Sequence, residues 1–199
     1  LIDCDLEEAD LSDLDLSGWR FERCNLRSAD LAQAKLNGTV WQSCRGPFAN
    51  FTGSDLSDAK LTASDFNNAS FMRASLESAR VSGCKLTGVD LTDVEGVDIR
   101  FEETLLISAK LPQHSFRKAK LTRVDFSQAN LVKCDFRLAT FEECSLRDAN
   151  MDGSRFEGAD LRGADLGGLR LVDASLFRGA TISRAQAEQL LSELGINVR

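Results

Sequence analysis

The chain contains no tyrosine and a single histidine, His114. A base working near neutral pH is confined to that residue, and no nucleophile motif surrounds it. No phosphate loop or dinucleotide fingerprint is present. None of the six cysteines forms a C-x-x-C pair, and with one histidine the zinc-ligand patterns fail. The expectation is a protein with no metal, no cofactor and no catalytic chemistry. No run of about 18 apolar residues occurs, which argues against a transmembrane helix, and no secretory apolar segment is visible.

What the chain has is a period of five. Positions 1, 6, 11 and so on to 176 are Leu, Phe, Trp, Val or Met at 34 of 36 places, and only Gly46 and Gly96 fail. Two residues before each stands a small residue, Ala, Ser, Cys, Thr or Val, at 30 of 35 places. Such self-similarity marks a repeat architecture. The two inward series are spaced alternately by two and by three residues. A step of two keeps side chains on one face of a strand. A step of three needs a corner if the next side chain is still to point inward. Five residues therefore make one side and one corner, and repeated corners wind a solenoid around stacked side chains.

The cysteines count the sides. Cys4, Cys24, Cys44, Cys84 and Cys144 differ by multiples of 20 and, with Cys134, fall in the small inward series. Four sides of five residues close one coil. At about 4.8 Å per coil, some nine coils make a rod roughly 43 Å long. Parallel neighbours resist disulfide geometry, so the thiols are expected to be buried and reduced. A reducing, cytoplasmic setting follows. Three places strain the repeat: Cys44–Phe48, where Gly46 empties the centre; Val94–Ile99, around Gly96; and Leu111–Ser115, where His114 takes a small-residue site. A bulged corner is expected at each. Trp19, also at a small-residue site, is expected to cover the core end. The solenoid is expected over 1–182, with a capping helix and tail over 183–199. Ser183 and Gln186 form a capping box, and Ala187, Leu190, Leu191 and Leu194 follow at helical spacing up to Gly195.

Stretches such as Ala9-Asp10-Leu11-Ser12, Ala29-Asp30-Leu31 and Ala159-Asp160-Leu161-Arg162-Gly163 spell A-(D/N)-L-x-x over nearly the whole chain. This resembles the pentapeptide-repeat family, and the resemblance implies an all-β fold, a right-handed quadrilateral β-helix. Gly179-Ala180-Thr181-Ile182, with Gln186-Ala187 and Leu190–Ile196, is similar to the C-terminal helix of the quinolone-resistance (Qnr and MfpA type) members. That similarity implies a homodimer joined at the C-terminal ends. It also implies action on DNA gyrase and topoisomerase IV by imitating duplex DNA, with protection against quinolone-type or peptide inhibitors. The long loops of the Qnr type would break the register and are absent, which makes the MfpA type the closer match. Val172 and Phe177 stand at outward positions, covered either by this chain's own helix or by a second copy. With Ile182, Leu190, Leu191 and Leu194 they form the expected dimer interface.

Charge is unevenly spread. Residues 1–100 carry 17 acids and 10 bases, whereas residues 101–199 carry 14 of each. Assigned to a 20-residue coil, the Leu11 side of the first half holds Asp10, Asp13, Asp30, Asp90 and Asp93 against Arg73. The adjacent Leu16 side holds Asp15, Asp55, Asp58, Glu77, Glu95 and Asp98 against Lys35. The Leu6 side is near neutral, and the Phe21 side is basic. Asp before a central residue also suits corner hydrogen bonding, but that does not concentrate it on two sides. The expected partner is a basic protein surface rather than nucleic acid or membrane. The alternative is a non-catalytic scaffold with an unrelated partner.

Overall fold

The computed structural model describes residues 1–169, 174–193 and 195–197. It is a parallel β-solenoid with four sides per coil. Seven strands, β1 (Arg20–Glu22), β2 (Val40–Gln42), β3 (Lys60–Thr62), β4 (Arg80–Ser82), β5 (Arg100–Glu102), β6 (Lys120–Thr122) and β7 (Thr140–Glu142), stack in sequence order as one sheet. Phe21 pairs with Trp41 and Trp41 with Leu61, so one coil is 20 residues. These strands mark about seven full turns. Single bridges such as Ile2↔Glu22 and Thr140↔Asp160 continue the ladder at either end, which is why fewer coils are fully paired than the nine expected. The other sides contribute isolated bridges at the same spacing, including Asp10↔Asp30 and Asp15↔Lys35, and short strands β8 (Cys144–Ser145) and β9 (Ala164–Asp165). Among the described residues no helix is long and apolar enough to cross a membrane.

The corners explain the step of three. The residue two beyond each central one takes a left-handed backbone, for example Asp13 (φ 57°), Gln33 (φ 58°) and Lys133 (φ 58°). That conformation is unfavourable for a non-glycine residue. At most corners this N–H reaches the next coil, as from Asp13 to the Ala32 carbonyl at 3.0 Å and from Gln33 to Thr52 at 3.0 Å. The ladder bond offsets the local cost.

Most of both inward series is buried from coil two onward, with residues such as Val94, His114, Ala119, Ala149 and Met151 half-buried and Gly96 exposed. Cys24 lies directly above Cys44, since the Arg45 N–H donates to the Cys24 carbonyl at 2.9 Å. All six thiols are free, and every one but Cys4 is buried. Burial pushes the Cys84 thiol up to about 11 and the Cys134 thiol to about 12, so both are poor nucleophiles at neutral pH. Aromatic rings stack in columns at coil spacing: Phe21 on Trp41 at 4.0 Å, and Phe116 on Phe136 on Phe156 at 4.9 Å each. Trp19 leans over Phe21 at 6.3 Å and is 45% exposed, as expected of a residue at an open coil end.

Two expectations need correction. The Cys44–Phe48 corner is regular, with Gly46 N–H bonded to Asp65 at 2.7 Å and Phe48 N–H to Asn67 at 3.0 Å. The Phe66 ring fills the space Gly46 leaves, so that a Cβ there would lie 2.7 Å from it. Phe48 points outward at the corner beneath Arg27. The second correction concerns Phe177. The last coil is one residue longer, because Phe156 N–H reaches Leu176 rather than residue 175, and Asp160 bridges Thr181. Phe177 therefore stacks on Phe156 at 4.9 Å in the central column instead of facing solvent.

The helix α1 (Arg184–Glu193) starts where the capping box places it. Ser183 N–H donates to Gln186 Oε1 at 2.7 Å, and Gln186 N–H donates to Ser183 Oγ at 3.2 Å. The buried Gln186 amide also donates to the Leu161 and Ala164 carbonyls, both at 2.7 Å. This anchor ties the helix to the final coil. Gln186→Ala would take a donor from the Ala164 carbonyl and from the Leu161 carbonyl, which keeps the Ala164 N–H, and would remove half the capping box. It is expected to cost about 2–3 kcal/mol and free the helix. Rapid amide exchange confined to α1 would be the readout.

Candidate functional site

The eleven carboxylates singled out lie on two adjacent sides of the solenoid, and none is buried. They divide by task. Asp10, Asp15, Asp30, Asp55 and Asp90 each accept the backbone N–H two residues on, at 3.0–3.1 Å, so one oxygen closes a corner. The Ser12 and Ser17 hydroxyls and amides hold Asp10 and Asp15 below the usual carboxylate range. Glu77 accepts the Val97 N–H at 2.8 Å. The carboxylates of Asp13, Asp58, Asp93, Glu95 and Asp98 make no hydrogen bond or ion pair among the described residues, and all five residues are exposed. They are the uncommitted charges of the surface. Lys35 meets Asp15 at 3.5 Å, and Lys110 of the following coil meets Asp90 at 3.0 Å. The Lys110 pairing crosses the boundary at residue 100 and trims the acidic excess by one charge.

At the C-terminal end the expected dimer residues separate. Ile182 and Leu191 are 37% and 36% exposed, and Ile196, which the sequence did not single out, is 51% exposed. Leu190 is turned inward at 7% exposure, and Phe177 is half-buried against the end of the core. Val172 and Leu194 lie outside the described residues.

A cleft of about 220 Å³ opens beside His114, lined also by Asp93, Val94, Gly96, Pro112 and Ser115. The imidazole packs edge-on against Phe116 at 4.5 Å. Desolvation lowers its pKa to about 4, which makes it a weak base at neutral pH. The folded chain thus refuses a proton that the unfolded chain takes near pH 6.5. The stability from the neutral ring is complete above that value and is lost as pH falls toward 4. Since the ring is partly exposed, the loss should be about 1–2 kcal/mol. Melts at pH 7 and pH 4.5 check it, and His114→Ala should remove that part of the acid sensitivity.

The repeat matches known sequences throughout. Residues 1–71 match the pentapeptide repeat region, and residues 54–93, 99–137 and 139–178 match pentapeptide repeats in eight-copy blocks. The chain belongs to the pentapeptide-repeat family. No curated protein sequence matches it. Among solved structures it is similar to a trypsin-treated point variant of QnrB1, a plasmid-mediated fluoroquinolone resistance protein, with TM-score 0.74 at 22% identity. That likeness covers 100% of this chain and 96% of the QnrB1 chain. Full-length QnrB1 matches with TM-score 0.65 at 19% identity, over 98% and 99% of the two chains. At these identities the likeness establishes the shared solenoid fold.

Proposed function

We propose that this pentapeptide-repeat protein occupies the DNA-binding groove of a type II topoisomerase, DNA gyrase or topoisomerase IV, in place of duplex DNA. In doing so it protects the enzyme against a fluoroquinolone-type or peptide inhibitor. It does so without chemistry of its own, as a cytoplasmic homodimer joined at the C-terminal ends, where Ile182, Leu191 and Ile196 supply exposed apolar surface.

One observation carries the reading: free carboxylates lie on two adjacent sides of a regular rod. Duplex DNA carries one negative charge per about 1.7 Å of axis. The acidic half spans about 24 Å at the interstrand spacing. Its two acidic sides keep a net excess of about eight carboxylates there after the Lys110 pairing. That is more than half the linear charge density of the duplex, on a scaffold that holds it in fixed positions. The shared fold with a fluoroquinolone resistance protein supports the same reading.

The test is a gyrase supercoiling assay with and without a fluoroquinolone. The expected result is a shift in the drug concentration needed for half-inhibition, with the effect weakening steeply as salt rises. No effect at micromolar protein would remove the proposal. A pull-down that returned a partner other than a topoisomerase subunit would favour the scaffold reading.

A further inference from the structure

Most coils are joined to their neighbours on all four sides, but the fifth and sixth are joined fully on fewer. On the Leu6 side Leu86 N–H donates to Leu105 at 2.8 Å, and Leu105 N–H to Cys84 at 3.0 Å. On the Leu11 side Leu91 N–H donates to Lys110 at 2.8 Å, and Lys110 N–H to Val89 at 2.9 Å, although among the described residues the corner N–H of Asp93 makes no bond to the next coil. On the Phe21 side β4 and β5 keep their full register from Arg80↔Arg100 to Ser82↔Glu102. The pairing of β5 with β6 keeps only Glu102↔Thr122, with Glu103 N–H donating to Thr122 at 2.9 Å. Among the described residues, Lys120 N–H makes no bond to the coil before.

The Leu16 side is different. One coil earlier, Leu76 N–H reaches Glu95, Ser78 N–H reaches Val97 and Glu95 N–H reaches Ala74. Among the described residues, the matching N–H groups of Gly96, Asp98 and Ser115 make no such bond. The bridge Ser75↔Glu95 has no successor, and pairing resumes only at Ser115↔Asp135.

Two side chains one coil apart produce the gap. Gly96 leaves the central column empty between Leu76 and Phe116. Its backbone swings outward to φ 136°, where a Cβ would lie 2.6 Å from the Glu77 nitrogen. His114 stands where Val94 and Cys134 stand in neighbouring coils, and its ring wedges against Phe116. The cleft beside His114 is the resulting slit.

We infer that the rod carries a one-sided joint between its fifth and sixth coils. Two stiff arms tilt about the paired Leu6 side, and the slit on the opposite, acidic side opens and closes. Elsewhere bending would stretch continuous ladders on every side. Here one side has no ladder to stretch, so the tilt concentrates at one place. The joint falls at the charge boundary: the arm before it holds the whole net acidity of the chain, and the arm after it is neutral. Tilting therefore re-aims the acidic arm relative to the C-terminal end. The use of that motion on a topoisomerase rests on the function proposed above, but its existence does not.

Spin-label distances test it in the full chain. Cys4, the one thiol not buried, is replaced by Ser to leave labelling sites clean. Gln33→Cys with Lys133→Cys spans the joint over five coils, and Glu8→Cys with Lys85→Cys lies within the first arm. The spanning pair should give a distance distribution about twice as wide as the internal pair. In Gly96→Leu/His114→Ala the leucine fits the column only when residue 96 leaves φ 136° for the regular repeat backbone, and the wedge is removed, so the spanning width should fall to the internal one. Equal widths in the otherwise unaltered chain would overturn the inference, whether or not the refilled variant folds. Loss of the gyrase effect with unequal widths would overturn only the proposed function.

Discussion

Phe136→Ala is expected to lower stability by about 3–5 kcal/mol, the largest loss for a single core substitution in this fold. Phe136 is fully buried, stacks on Phe116 and Phe156 at 4.9 Å, and meets Phe126 and Phe141 at 6.4 and 5.6 Å. Truncation opens a cavity in the middle of a column whose members contact only their own coil and the coils above and below. A solenoid has no distant contacts to share that loss. For a chain of this size the melting temperature should fall by about 10 °C or more. Phe48→Ala is the control. Its ring is 54% exposed, and the change should stay within about 0.5 kcal/mol. Thermal melts by circular dichroism compare the two, and a Phe136→Ala loss below about 1 kcal/mol would contradict the stacked-column account.

The second large effect is on binding. Asp13, Asp58, Glu95 and Asp98 replaced together by Lys should weaken topoisomerase binding by about a hundredfold or more, roughly 3 kcal/mol. These four carboxylates are free and exposed, so their reversal breaks no corner. Lysine is already tolerated at the left-handed corner position, as Lys118 (φ 61°) and Lys133 (φ 58°) show. Asp55 belongs to the same side but caps the Ser57 amide at 3.0 Å, so its reversal would confound charge with folding. Lys60→Glu, Arg80→Glu and Arg100→Glu, on the basic side, should leave binding nearly unchanged. Affinity measured by calorimetry at fixed salt, with unchanged melting of each variant, separates the two faces. Equal damage from the basic-side variant would show that total charge, not its placement, matters.

The long-range order was legible because the period is short and the core is nearly one residue wide. The cysteines at 20-residue spacing set the coil length, and the structure stacks them accordingly. Ser183 and Gln186 announced the helix start. Gly96 and His114 were each visible as a break in pattern. That they form one slit follows only when residues one coil apart are placed together. What the pattern hid were departures that leave the count intact. Gly46 looked like a defect, but a neighbour's ring one coil away fills it. Phe177 looked outward because one added residue in the last coil shifts the register where no repeat follows to reveal it. The Gln186 anchor was hidden because a capping residue with a second, tertiary task has no local signature.

Competition between this protein and duplex DNA for the topoisomerase tests the central claim most directly. A labelled duplex bound to gyrase should be displaced by the chain in a one-for-one, salt-sensitive manner, and excess duplex should in turn displace the chain. Gyrase that holds both at once, or that releases no duplex at saturating protein, would contradict the claim that the acidic sides stand in for DNA.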